Sequence, residues 1–254
     1  MSDIHSRHAA LIDPSLSQGS FVIAGAGMIG GWTALALARA VGKLYIFDHD
    51  KIEDVNVGCQ PYSLDNVSAP KASTIESFCS GLPVTSLNMK FPPRSNAWAD
   101  GIAGVVCAVD SMAGRRVVAE RCHKLSVPFF LDGRILGEIA VLAVVQHEHK
   151  GTDYEAYLAN LPSDKDVPNA TCGASGTAYA GMFLAGRITA DLNNLMRGQR
   201  LPALRVWHVG QGQVINSFDT FPPKVEVSGS TNGGDNSNSP QVDPATSVLV
   251  GTYR

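Results

Sequence analysis

The sequence has no C-x-x-C pair, and its five cysteines (Cys59, Cys79, Cys107, Cys122 and Cys172) are an odd, scattered set. That argues against a disulfide scaffold and against a structural zinc site, and it suits a reducing cytoplasm. A Lys/Arg-rich run is also missing, and the formal charge of −3 offers no basic face for nucleic acid. No apolar run is long enough to span a membrane. The opening MSDIHSRHAALIDPS lacks the apolar core of a signal peptide. An apolar fraction of 44% against 17% charged leaves a soluble, cytoplasmic globule with a sizeable core.

What is present is concentrated first between Phe21 and Asp50. An apolar run, Phe21 to Ala24, meets Gly25-Ala26-Gly27-Met28-Ile29-Gly30; an alanine- and leucine-rich stretch follows; a second apolar run, Leu44 to Phe47, ends in Asp48. This is the strand, glycine turn, helix, strand and acid order of a nucleotide-binding βαβ unit. Glycines let the backbone approach a phosphate, and the helix N-terminus offers free N–H groups. Asp48 stands where a carboxylate can accept a hydrogen bond from a ribose hydroxyl. NAD, FAD and ATP users share this pattern.

The spacing predicts a short helix over His5 to Ile12 with a turn at Pro14, then a strand over Ser20 to Ala24. A helix is expected from Met28 to Ala40, closed by Gly42, and a strand from Lys43 to Asp48. The polar stretch from Asp48 to Ala72 is long for a connection in a compact domain, and such loops are often functional. Helices are expected from Lys71 to Ser80, near Asn96 to Asp100, and from Ser111 to Lys124. Strands are expected over Val84 to Phe91, Gly104 to Val109 and Pro128 to Asp132, with one long strand over Ile135 to Gln146. Helices over Asp153 to Asn160 and Ser175 to Arg197, the latter closed by Gly198, precede a hairpin of Leu204 to Val209 and Gln213 to Phe218. Low hydrophobicity predicts disorder over Ser228 to Asp243; Ser247 to Tyr253 either adds an edge strand or trails. The alternation predicts an α/β fold: a Rossmann-like, mostly parallel sheet with helices on both faces and an antiparallel C-terminal extension.

Asp110 ends the apolar run from Gly104 to Val109, which reads as a central parallel strand. An acid there repels the pyrophosphate of a dinucleotide but suits Mg²⁺ held against a triphosphate. Lys71 supplies a cation, and Asn56 and Gln60 supply neutral hydrogen bonds. This set favours Mg-ATP over NAD.

At these residues the sequence resembles the ThiF/MoeB/HesA family, relatives of the catalytic core of ubiquitin-activating enzymes. The resemblance rests on GAGMIG, on Asp48-His49-Asp50 running on to Asn56 and Gln60, on Lys71, and on Asp110-Ser111-Met112-Ala113-Gly114-Arg115. It continues through PFFLDGRILGEIAVLAVVQ and TCGASGTAYAGMFLAGRITADLNNLMRG. It implies an adenylation domain over residues 1–200, a hairpin extension of that domain over 201–226, and a tail over 227–254. It also implies an ATP-dependent adenylyltransferase that activates the C-terminal carboxylate of a small ubiquitin-like or sulfur-carrier protein. By the same resemblance Gly25, Gly27, Met28, Ile29, Gly30, Asp48, Asp50, Asn56, Gln60 and Lys71 bind nucleotide, and Asp110 holds Mg²⁺. Arg7 reaches the phosphates of a homodimer partner, and Cys172 is the thiol that accepts the activated acyl group; a bland loop cysteine is the equal alternative.

Two departures from the family pattern stand out. Cys59 replaces the phosphate-binding arginine, removing a fixed cation, and the zinc cysteines near YEAYL are absent. A non-catalytic, nucleotide-binding subunit is therefore the alternative reading, and an NAD-dependent oxidoreductase a more distant one. Activation of a carboxylate on modified tRNA is disfavoured by the missing basic surface. Arg115 and Arg116 either assist phosphates or meet solvent, and Asp50, Asp54 and Asp132 either support the residues that touch the ligand or are ordinary loop acids. His147-Glu148-His149 supplies too few ligands for a zinc site and reads as a solvated strand end.

Overall fold

The structure is a computed structural model that describes residues 6–165 and 176–222. The first element differs from expectation. Residues 6–12 form turns, and the helix is α1, Pro14–Gln18. Proline's fixed φ suits the first helical position, and the Asp13 carboxylate caps the turn by accepting the Ser15 N–H at 2.9 Å.

The strands β1 (Ser20–Ala24), β2 (Lys43–Phe47), β3 (Val84–Leu87), β4 (Ile102–Cys107) and β5 (Phe129–Leu136) are parallel. The strands β6 (Ile139–Gln146), β7 (Leu204–His208) and β8 (Gln213–Phe218) add antiparallel to that edge. The order is β3-β2-β1-β4-β5-β6-β7-β8. The α/β class, the mostly parallel sheet and the antiparallel extension therefore agree with the sequence reading. The expected single strand over Ile135 to Gln146 does not form. Gly137, at φ 60°, turns the chain between β5 and β6, and Leu136 pairs with Ile139.

Helices α2 (Met28–Leu37), α3 (Lys71–Phe78) and α6 (Ala178–Met196) cover one face, and α4 (Met112–Lys124) and α5 (Tyr154–Asn160) cover the other. Side chains alternate across a strand, so a strand buried on both faces is apolar at every position. On β6, Ala140, Leu142 and Val144 enter the α2/α6 core, while Val141, Ala143 and Val145 enter the α4/α5 core. Gly42 is not the cap of α2, which ends at Leu37 with Ala38 as its cap. A Cβ at Gly42 would lie 2.8 Å from the Gln18 backbone, so glycine there permits a close crossing. No helix among the described residues is long and apolar enough to cross a membrane.

Chain connections leave β1 toward β2 on one side, while β4 leads toward β5 on the other. Between the C-terminal ends of β1 and β4 lies the switch point where open α/β sheets bind ligands.

Candidate functional site

At that switch point β1 runs into the glycine turn. Gly25 adopts φ 96°, a conformation that L side chains avoid, and donates its N–H to Phe47 O at 2.8 Å. A Cβ on Gly30 would fall 1.8 Å from Gly25 O, so only glycine lets α2 start this close to the turn. Gly27 is different: an added Cβ there meets nothing within 4 Å. Two glycines make the bend, and the third leaves room above it.

Asp48, 8% exposed, closes the turn from the end of β2. Its carboxylate accepts the Ala26 N–H at 2.6 Å and the Asp50 N–H at 2.7 Å. A carboxylate offers roughly four acceptor directions, so these bonds orient the group and leave capacity for a hydroxyl.

The chain from Asp50 to Lys71 then folds back on itself. Ile52 N–H donates to Ala69 O at 2.9 Å, Ser68 N–H to Ile52 O at 2.8 Å, and Lys71 N–H to Asp50 O at 3.0 Å. This closure carries the start of α3 to the cleft, and Lys71 Nζ lies 3.3 Å from Asp50 Oδ2. Tyr62 donates its hydroxyl to Ala26 O at 2.6 Å, tying the loop to the glycine turn. Burial, reinforced by Asp48, pushes the Tyr62 phenol far up, so it stays a protonated donor. Trp32 Nε1 donates to Cys59 O at 3.1 Å.

Across the switch point, Asp110 follows β4 and is exposed. Ser111 caps α4 by accepting the Gly114 N–H at 3.1 Å, and Asp164 accepts the Met112 and Ala113 N–H groups at 2.6 and 3.1 Å. One turn into α4, Arg115 is 5% exposed. Its Nη1 donates to Asp132 Oδ1 and, at 2.9 Å, to Gly133 O. Asp132 Oδ2 also accepts from Arg134 Nε at 2.7 Å and from the Tyr157 hydroxyl at 2.8 Å. Burial alone would raise the Asp132 pKa, but Arg115 and Arg134 hold the carboxyl below its ordinary range.

These walls enclose a cleft of about 750 Å³. Gly25, Gly27, Met28, Ile29, Asp48, Asp50, Gln60, Lys71 and Asp110 all line it, so most of the residues singled out in the sequence converge on one space. Gly30 lies beneath the turn. Asn56 does not line the cleft; its Oδ1 accepts the Glu53 N–H at 3.0 Å in a capping box. Arg7 is exposed and does not line it either. Cys172 lies outside the described residues. Cys59 is half-buried, and burial pushes its thiol up against a smaller lowering by Lys71, so it is no thiolate nucleophile.

Lining residues not foreseen from the sequence come from three places: Met89, Lys90 and Phe91 follow β3; Ile135 and Leu136 end β5; Val117 comes from α4. Arg115, expected either to assist phosphates or to meet solvent, also lines the cleft. Arg115 meets a buried partner rather than solvent. One sequence signal pointed there: Asp132 and Arg134, two apart on an otherwise apolar strand, must share one face.

The donor set fits a nucleotide. Gly27 leaves space where the phosphates of a nucleotide would approach backbone, and Gln60 Oε1 is buried with no hydrogen-bond partner among the described residues. Among those residues, Asp48, His49 and Asp50 are the one grouping of three possible metal ligands, and both Asp48 oxygens already accept backbone N–H groups. Among the described residues, the exposed Asp110 carboxylate carries no such bonds.

The model of the ThiF family matches residues 12–248. A search among curated proteins by sequence returns no match. Among solved structures, the fold is similar to E. coli MccB crystallised with ATP, at 17% identity over 87% of this chain and 72% of that one, with a TM-score of 0.63. It is also similar to the E. coli tRNA N6-threonylcarbamoyladenosine dehydratase TcdA, at 20% identity over 72% and 87% of the two chains, with a TM-score of 0.56. A third is PaaA, at 16% identity over 78% of this chain and a TM-score of 0.63; the chain spans 63% of the length of PaaA.

Proposed function

The chain belongs to the ThiF family, and on that premise we propose that it is an ATP-dependent adenylyltransferase. Its substrate is the C-terminal carboxylate of a small ubiquitin-like or sulfur-carrier protein. The observation that carries this reading is the pairing of Asp48 on the glycine turn with Asp110 at the end of β4, on opposite sides of one cleft that Lys71 also lines. A dinucleotide oxidoreductase gains nothing from the second acid.

In this reading Asp48 accepts from the ribose, the Gly25 to Gly30 turn and the α2 N-terminus receive the phosphates, and Gln60 and Lys71 contact them. Asp110 would hold Mg²⁺, which offsets phosphate charge when bound. The substrate carboxylate oxygen attacks the α-phosphorus; the bond from that phosphorus to the bridging oxygen breaks, and pyrophosphate leaves with the electron pair. The product is an acyl-adenylate. The protein supplies orientation and charge stabilisation. Attack by the Cys172 thiolate on the acyl carbon would then release AMP and form a thioester. Arg7 of a second copy would reach the phosphates in a homodimer. The free thiols at Cys59, Cys79, Cys107 and Cys122 suit a reducing cytoplasm.

The test is Mg²⁺-dependent ATP–pyrophosphate exchange with a panel of ubiquitin-like and sulfur-carrier proteins, comparing wild type with Asp110→Ala. Exchange that is absent throughout removes this reading; exchange that is present but indifferent to Asp110→Ala removes Asp110 from it. Cys59 favours a second one, a nucleotide-binding subunit without turnover. Cys59→Arg separates the two: it speeds a weak enzyme and leaves a non-catalytic subunit unchanged.

A further inference from the structure

Lysine and arginine meet the cleft at both ends. Lys71 stands on the β2 side beside Asp50, and Arg115 stands on the β5 side beside Ile135 and Leu136. Lys71 is already committed to the nucleotide in the reading above. Arg115 has no assigned task, yet its surroundings are the more elaborate. Three residues on two elements fix it: Asp132 on β5 receives its Nη1, while Arg134, also on β5, and Tyr157 on α5 both donate to the other Asp132 oxygen.

A buried ion pair is weak evidence for stability, because removing charges from water offsets most of their attraction. Packing alone therefore gives little reason for this arrangement at the wall of a cleft. A second feature points to a ligand: Arg115 is 5% exposed yet lines the cleft, and among the described residues only its Nη1 has hydrogen-bond partners. A largely buried donor without an acceptor is destabilising, and an oxyanion in the cleft would supply one to Nη2. Planar guanidinium groups match carboxylates and phosphoryl groups through two parallel N–H bonds.

Building on the adenylation reading, we propose that Arg115 contacts an oxyanion on the β5 side of the cleft, and that Asp132 is its positioning residue. The oxyanion is either a phosphoryl group of the nucleotide or the carboxylate activated against it. Either contact provides a fixed cation in a cleft whose family arginine is replaced by Cys59.

The test uses the full wild-type chain with ¹⁵N-labelled arginine. Arg115→Lys identifies the Arg115 Nε–H signal by its disappearance; should that variant fail to fold, Asp132→Asn identifies it by its displacement. If neither variant folds, ligand-induced movement is read among the Nε–H signals that persist through a hydrogen–deuterium exchange time course on the wild type; of Arg115, Arg121, Arg187 and Arg205, whose Nε groups are buried, Arg115 alone lines the cleft. Adenosine, AMP, Mg-ATP and pyrophosphate are titrated in turn, then glycylglycine on top of AMP. Movement with Mg-ATP and pyrophosphate but not adenosine supports a phosphoryl contact; movement with glycylglycine alone supports a carboxylate contact. Calorimetry on Asp132→Asn is expected to show about a tenfold loss of affinity for whichever ligand moves the signal, with adenosine affinity unchanged. Equal weakening of all ligands means a merely structural role and overturns the positioning claim. A signal indifferent to every ligand while Mg-ATP binds overturns the contact. Mg-ATP that fails to bind at all removes the adenylation reading instead.

Discussion

The Tyr62 hydroxyl donates to the carbonyl oxygen of Ala26 at 2.6 Å, joining the middle of the 48–71 loop to the centre of the glycine turn. Residues 36 apart in sequence are thereby fixed to one another beside the cleft. Replacing Tyr62 with Phe keeps the ring and removes the bond. The expected loss is about 1 kcal/mol of stability, together with weaker ATP binding. Denaturant unfolding and calorimetry read the two effects.

The glycines of the turn separate folding from binding. Gly30→Ala puts a Cβ 1.8 Å from Gly25 O, and backbone cannot retreat as a flexible side chain can. Destabilisation is expected at or beyond the roughly 3 kcal/mol upper end of ordinary overpacking. Gly27→Ala places its methyl in open space beside the cleft. That variant is expected to unfold near the wild-type midpoint while binding ATP more weakly. Thermal unfolding with and without ATP distinguishes them; identical behaviour of the pair contradicts the division of labour.

Asp110 is exposed and forms no ion pair among the described residues, so Asp110→Ala is expected to fold normally. Pyrophosphate exchange is expected to fall by about a hundredfold or more, the scale of losing one electrostatic group from a phosphoryl-type transition state. A folded variant with unchanged exchange excludes Asp110 from the reaction.

Acid should unfold the protein partly through Asp132. Its folded carboxyl titrates below the ordinary 3.8 because Arg115 and Arg134 overcome the effect of burial. A depressed folded value gives stability that is fully present above the unfolded pKa and is lost as pH falls through the folded one. The stability difference between wild type and Asp132→Asn is therefore expected to be constant from neutral pH to about pH 5 and to shrink below about pH 4. Urea titrations at a series of pH values measure it; a difference that grows on acidification contradicts the assigned direction.

The sequence made the parallel half of the sheet legible because its signals are local. The apolar run at Ser20 to Ala24 meets the glycine turn directly, and β1 has those bounds. Asp48, Gln60, Lys71 and Asp110 could be named because each follows a strand end or a recognisable spacing. Where a partner is distant, the reading fell short. Arg115 could be read as a phosphate contact or as a solvent-facing residue, and its bond to Asp132 went unforeseen because that partner arrives from a different element. Asn56 looked like a nucleotide contact, yet it does not line the cleft, and its Oδ1 accepts the Glu53 N–H three residues away. At Ile135 to Gln146, continuous apolarity hid a reversal marked only by Gly137. At the N-terminus Pro14 reads as a break but starts α1, because Asp13 is there to cap it.

The bond from Trp32 to residue 59 is made to the main-chain carbonyl, not to the side chain. The loop's path is thus written in its backbone and in Tyr62, and position 59 is free to change its chemistry while the architecture stands. A cationic, neutral or thiol side chain can be exchanged there in a single step. On the adenylation reading, the charge carried at position 59 can accordingly differ without a change in the hydrogen bond that fixes the loop's path there.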